Sequence, residues 1–194
     1  MTSIISKAAL QRETDGAVPM LHGPGPDGSF VHIPSGIRFP GWIGSYCAGD
    51  PRRYDSVGTD VSLRYLRKTA AFAWATVFVF PLGDQGQFLR RQEEAEADLF
   101  RLLERSTVVA RRRFQGRVPP DRSYQGLGVC ADGVQSMEGR LRSVRTWLLT
   151  VDTGSWALKL RTTAALAHRE DGHKLDEQIQ CEWMLANMLA AQTS

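Results

Sequence analysis

Lysine is scarce in this chain. It occurs only at positions 7, 68, 159 and 174, although lysine and arginine together number 24. Cysteine is scarcer still, with Cys47, Cys130 and Cys181 alone. An odd count without a C-x-x-C spacing argues against a disulfide framework and against a structural zinc site. One bridge between two of the three stays open, but they read best as free, mostly buried thiols, which fit a reducing compartment. Long hydrophobic runs are also missing. The longest, Ala70 to Leu82, is interrupted by Thr76 and is too short to span a bilayer. Residues 1–15 hold no apolar stretch of the signal-peptide kind. The chain therefore reads as cytoplasmic, or as a cell-envelope protein if a leader has been removed. No G-K-[ST] or G-x-S-x-G occurs, which argues against the usual nucleotide cradle and the strained-serine hydrolases.

What is present is an ordinary globular composition. Of 194 residues, 42% are hydrophobic and 23% charged, enough to bury a sizeable core without disulfide or metal. The net charge of +3 is mild. Arg111, Arg112, Arg113, Arg117 and Arg122 form a local basic cluster, but the near-neutral whole and the lack of any recognised motif argue against nucleic acid. The preference for Arg over Lys has two readings: a coding bias, or selection for bidentate contacts to carboxylate or phosphate. Composition does not separate them.

Residues 1–29 are rich in Gly and Pro and read as an irregular arm whose apolar residues (Ile4, Ile5, Val18, Met20, Leu21) lie along the body. Residues 30–194 read as a single domain. Strands are expected at Phe30–Ile33, Trp42–Cys47 and Val61–Tyr65. Between Phe72 and Phe80 aromatic and small residues alternate, which predicts a central strand covered on both sides, with a helix close to its small face. Gln87 to about Arg105 repeats apolar residues at helical spacing, and its Glu93, Glu94, Glu96 and Asp98 form part of a solvated charged face. Ser106–Phe114 continues the helix or begins a strand. Ser123–Cys130 reads as a strand ending at an Asp132-Gly133 turn. Met137–Val151 and Trp156–Thr162 form a hairpin around Asp152-Thr153-Gly154. A last helix is expected from about Leu175 to Ala191, with Cys181 toward the core. Short turns between strands imply antiparallel pairing. The fold class is thus α+β: an antiparallel sheet of five to seven strands with two long helices packed against it. Trp74 and Trp156 are both expected on the aromatic face of alternating strands and more buried than the average residue.

Candidate chemistry is sparse. Gly126–Gly133 lacks G-x-G-x-x-G spacing and reads as a β-turn. His168 and His173 flank Gly172 and read as a solvated loop rather than metal ligands. Cys130, at a strand end, is the one candidate nucleophile. No catalytic set, metal site or cofactor is read from the sequence. The late hairpin offers a different signal. Trp156, Leu158 and Leu160 point one way, so Lys159 and Arg161 point the other, and Arg64 stands opposite Leu63 and Tyr65. If the strands share a sheet, these cations share a face, with Arg142 and Arg140 adding to it. Such a face would receive an acidic protein partner or an anionic ligand; the alternative is a solvated face of an Arg-rich protein. The leading reading is a non-enzymatic accessory or binding protein acting through a surface. The other is a small-molecule-binding or hydrolytic enzyme with a pocket between sheet and helix.

Three segments carry a resemblance: Phe39-Pro-Gly-Trp42; Val61-Ser-Leu-Arg-Tyr65 with Ala75-Thr-Val-Phe-Val-Phe-Pro81; and Trp147-Leu-Leu-Thr150 with Trp156-Ala-Leu-Lys-Leu-Arg-Thr162. Together they resemble a group of bacterial proteins without assigned activity, many of them secreted. More remotely, residues 37–192 are similar to the photosystem II extrinsic protein family (PsbP-like). That resemblance implies a sheet sandwiched by helices and a non-catalytic accessory role, with no catalytic residues to carry over.

Overall fold

The computed structural model of the chain describes residues 21–66, 73–83, 85–118, 122–137, 139–185 and 187. The fold is α+β. A small antiparallel sheet joins β1 (Leu21–His22), β2 (Phe30–His32) and β3 (Ile37–Phe39). Leu21 and His22, expected in the irregular arm, are therefore paired backbone; the rest of the arm that carries Ile4, Ile5, Val18 and Met20 lies outside the described residues.

The main sheet has nine strands, all antiparallel, rather than five to seven. It contains β4 (Trp42–Ile43), β5 (Tyr46–Ala48), β6 (Arg52–Arg53), β7 (Val61–Leu66), β8 (Ala73–Pro81), β9 (Glu104–Val118), β10 (Arg122–Met137), β11 (Arg140–Asp152) and β12 (Trp156–Ala165). The spatial order is β4-β5-β7-β8-β12-β11-β10-β9, with β6 also paired to β7. The extra strands have local causes. Trp42–Cys47 is not one strand but a hairpin folded at Gly44, whose φ of 54° suits a residue without a side chain. Ser106–Phe114 belongs to β9. The Asp132-Gly133 pair is not a turn: β10 runs through it with a register shift against β9, and the chain reverses near Gly139 instead.

Two helices cover the sheet, one on each face. Helix α1 (Gln85–Leu102) lies over one, and α2 (Arg169–Ile179), continued by a π-helical turn Gln180–Leu185, lies over the other. Helix α2 begins six residues earlier than expected, so His168 caps it and His173 lies within it, not in a loop. Gly172 sits inside this helix for a packing reason. A Cβ there would stand 2.4 Å from Ala164 Cβ and 2.8 Å from the Trp147 ring, so only glycine lets α2 come this close to β11 and β12.

The strand register assigns every side chain to a face, because residues paired across an antiparallel sheet point the same way. Ala73, Ala75, Val77 and Val79 of β8 point toward α2 with Leu63, Tyr65, Leu158 and Leu160; all are buried with Leu175, Ile179 and Trp183 in the largest core cluster. Leu66, Trp74, Phe78 and Phe80 point toward α1. Trp74 and Trp156 thus lie on opposite faces, and both are half-buried. The two hairpin strands meet β8 with Trp156 opposite Pro81 and Thr163 opposite Trp74, which sets the two tryptophans an odd number of positions apart.

Candidate functional site

Helix α1 presents Phe88, Gln92, Ala95, Leu99 and Leu103 to the sheet, at the three- and four-residue spacing of one helical stripe. It is fixed at both ends. Phe88 packs with Phe78, Phe80, Leu82 and Ala157 near the start. Leu99 and Leu103 pack with Val129, Ala131, Val144 and Leu148 near the finish. Beside and between these anchor points the helix does not close onto β7, β8 and β12, and a cleft with two lobes remains. One lobe, of about 470 Å³, is lined by Tyr54, Asp60, Phe78, Phe80, Lys159 and Arg161 from the sheet side and by Arg91, Glu94 and Asp98 from the helix. The other, of about 260 Å³, is lined by Arg64, Leu66, Trp74, Arg161 and Thr163, by Gln135, Ser136 and Thr146 of β10 and β11, and by Leu99 and Leu102 of α1 with Leu103 just beyond it. Arg161 and Leu102 line both.

The register builds the floor in rows. Arg64 of β7 pairs with Thr76 of β8, which pairs with Arg161 of β12. The next row runs Ser62, Phe78, Lys159, Thr150. Two inter-strand spacings separate Arg64 from Arg161, about 10 Å between backbones, a distance two arginine side chains readily close over the threonine between them. By the same alternation all four proposed binding residues lie on the α1 face of the sheet, but only Arg64, Lys159 and Arg161 are brought to the cleft. Arg142 is not brought to the cleft: it lies two residues beyond Val144 on β11, opposite Gln135, where β12 has already ended, and it lines neither lobe. Arg140 is exposed farther along the same strand.

This face is not the open, solvated one expected of the hairpin. Lys159 and Arg161 are only partly accessible beneath α1, and Arg64 is exposed at the mouth. Burial lowers the pKa of all three below their usual values, with neighbouring cations adding to the effect. None has an ion-pair partner among the described residues. Lys159 Nζ instead stands 4.0 Å from the centroid of the Phe78 ring, and the Arg161 guanidinium carbon 5.9 Å from the same centroid. The carboxylates of α1 form no ion pair with them, since Glu94 pairs with Arg91 at 3.3 Å and Asp98 with Arg101 at 3.1 Å, although Asp98 still favours the charged forms of Lys159 and Arg161. The remaining carboxylate is Asp60. Burial pushes its pKa up to about 6, against the opposing pull of Lys159. The loop that carries Asp60 is shaped by Asp55, whose carboxylate accepts hydrogen bonds from the backbone amides of Gly58, Thr59 and Asp60 and from the Thr59 hydroxyl.

Four buried side-chain polar atoms lack a hydrogen-bond partner among the described residues, and three of them belong to this layer: Thr76 Oγ1, Thr150 Oγ1 and Gln92 Oε1. Thr76 stands between Arg64 and Arg161, and Thr150 beside Lys159. Polar groups this deep are normally satisfied, and leaving one unpaired costs about 1–3 kcal/mol. The fourth, Trp183 Nε1, lies in the opposite core.

The other residues singled out from the sequence lie elsewhere. Cys130 is half-buried in mid-strand, not at a turn, and on the face away from α1; burial raises its thiol pKa, the opposite of an activated nucleophile. His168 and His173 lie near Asp171 and Glu177 of their own helix, and His173 stacks on Trp147. The three thiols are unbridged, but Cys181 is exposed and the other two half-buried, so none is core. On α2 the buried stripe is Leu175, Ile179 and Trp183, which puts residue 181 on the far side. Sequence reasoning missed Thr76 and Asp60. The first carried a signal, a lone hydroxyl inside an otherwise apolar central strand; the second, in a loop, carried none. Compared with known proteins, the chain matches no family model and no curated sequence.

Proposed function

We propose that this protein is a non-catalytic binding protein that seats an anionic ligand in the cleft beneath α1, on the row Arg64–Thr76–Arg161 with Lys159 beside it. The observation that carries this reading is the combination of three cations without ion-pair partners among the described residues and a buried, unpartnered threonine hydroxyl in the strand row between two of them, beneath the cleft floor. A protein gains nothing in stability from desolvated, unpaired cations and an unpaired hydroxyl. An oxyanion would satisfy both at once through charge-assisted hydrogen bonds. The site's position between sheet and helix favours a small anion over an acidic protein partner, since the cations lie in a recess and not on a flat surface. The accessory role implied by the PsbP-like resemblance is part of the same proposal, supported by the arrangement of one helix on each sheet face.

The test is sulfate binding by calorimetry at low and high salt. Sulfate should bind to the wild-type protein and weaken as salt rises. Thr76→Val replaces the hydroxyl with a methyl group of the same shape. It should weaken sulfate binding about tenfold while holding or raising the melting temperature, because a hydroxyl at the level of charge-assisted bonding contributes roughly 1.5 kcal/mol and its burial otherwise costs. Undiminished binding in both Thr76→Val and Arg161→Met would rule the seat out.

A further inference from the structure

The two lobes of the cleft differ in what they offer. The larger holds Lys159, Asp60 and the paired charges of α1. The smaller has a single rank of charge, Arg64 and Arg161, along one side. The rest of its wall divides into an apolar part, Leu66, Trp74, Leu99, Leu102 and Leu103, and a polar part, Gln135, Ser136, Thr146 and Thr163. Its two threonines do not ask for a ligand atom, because Thr146 Oγ1 and Thr163 Oγ1 bond each other at 3.2 Å. Leu66 is 37% exposed and Leu102 45% exposed, so two large apolar side chains are left partly wet at this lobe while Leu99 and Leu103 close its inner side. Cations on one edge and an apolar trough running from them is the pattern that recognises an amphiphile.

We infer that the ligand is a carboxylate with an extended apolar body, the carboxylate between Arg64 and Arg161 at Thr76 and the body along Trp74, Leu102 and Leu103. This rests on the reading of the Arg64–Thr76–Arg161 row as an anion seat and adds the direction in which the ligand extends. The direction follows from the register. Leu66 and Trp74 form the row adjacent to Arg64 and Thr76 on the same sheet face, so a body leaving the seat toward them travels along the strands over apolar surface. Leaving the other way it would meet Lys159 and Asp60.

The experiment titrates the full chain with butanoate, hexanoate and octanoate, below their micelle concentrations, and with octanol as the uncharged control. Affinity should rise along the series by roughly fourfold for each methylene buried. Octanol should bind at least about tenfold more weakly than octanoate, the loss expected for charge-assisted hydrogen bonds to the head group. Leu102→Gln changes an exposed helix position and should lower octanoate affinity more than butanoate affinity, flattening the chain-length dependence. Equal affinities for butanoate and octanoate, both reduced in Arg161→Met and Thr76→Val, would overturn the apolar trough and leave the anion seat standing. Octanoate binding that is unchanged in Arg161→Met and Thr76→Val, or no binding by any member of the series together with none by sulfate, would overturn both. Melting temperatures of the variants, measured alongside, identify any loss that comes from unfolding.

Discussion

The two faces of the main sheet are made from the same strands, in the same register, and each is covered by a helix, yet one is closed and the other is not. Toward α2 the central strands present Ala73, Ala75, Val77, Val79, Leu158 and Leu160, and glycine at position 172 lets the helix descend until Leu175, Ile179 and Trp183 are fully buried. Toward α1 the same strands present Trp74, Phe78, Phe80, Lys159 and Arg161. Large rings and long cationic side chains hold a helix off, and α1 meets the sheet only where Phe88 and Leu99–Leu103 find apolar partners. A sheet with small apolar residues on both sides would have two cores. This one has a core and a recess, and the difference lies in the size and charge of alternate residues.

The comparison can be broken most forcefully from the closed side. Ile179→Ala should destabilise the protein by about 3–4 kcal/mol in urea denaturation, the range for a large aliphatic side chain removed from a packed core. Leu102→Ala, on the cleft side, should change stability by no more than about 0.5 kcal/mol. Similar values for the two would mean the faces are not distinct. Asp176 is the next largest effect. It is buried under α2, accepts hydrogen bonds from Thr162 at 2.9 Å and Gln180 at 2.6 Å, and burial still pushes its pKa up to about 6. A carboxyl whose folded pKa is raised keeps its full stability below the unfolded value near 4, and loses stability as pH rises through 6. Asp176→Asn should therefore be more stable than wild type by about 2–3 kcal/mol at pH 8, with the advantage gone by pH 4. A pH-independent difference would show that charge is not the cause.

On the recess side the expected stability effects are smaller. Lys159→Met keeps the stem over Phe78 and removes an unpaired charge, so chemical denaturation should show a gain of about 1 kcal/mol together with weaker sulfate binding. The smallest effect is on pH. Asp60 is ionised above about 6 and neutral below it, so the cleft is more positive at pH 5 than at pH 8. Sulfate does not change charge over that range, and its affinity should rise about threefold on acidification, equivalent to a weak, partly screened pair. Asp60→Asn should remove the dependence.

Much of the fold was legible in the residues. The alternation in β8 showed a central strand with unequal faces and a helix close to the small one, and both hold. The opposite placement of Lys159 and Arg161 relative to Leu158 and Leu160 also followed from alternation alone. What alternation does not carry is how strands are ordered or where a helix comes to rest. Arg64 joins Arg161 because β7 and β12 flank β8, a fact of topology, and Arg142 is left out because β12 ends before reaching it. That Trp74 and Trp156 lie on opposite faces was not legible for the same reason, since relative phase between strands depends on register. Gly172 looked like a loop residue because helix propensity counts against glycine; the close approach of Ala164 and Trp147 overrides that preference.

Because α1 is held at both ends, the gap beside it is a window in a frame and not a door. Widening it means pulling Phe88 from the Phe78–Phe80 cluster or Leu103 from the Val129–Val144 cluster, each a loss of well-buried apolar area. Among the described residues a ligand thus meets no moving part on its way in. Its association should be a single second-order step, with an observed rate that climbs linearly with concentration and shows no plateau of the kind a slow opening step imposes.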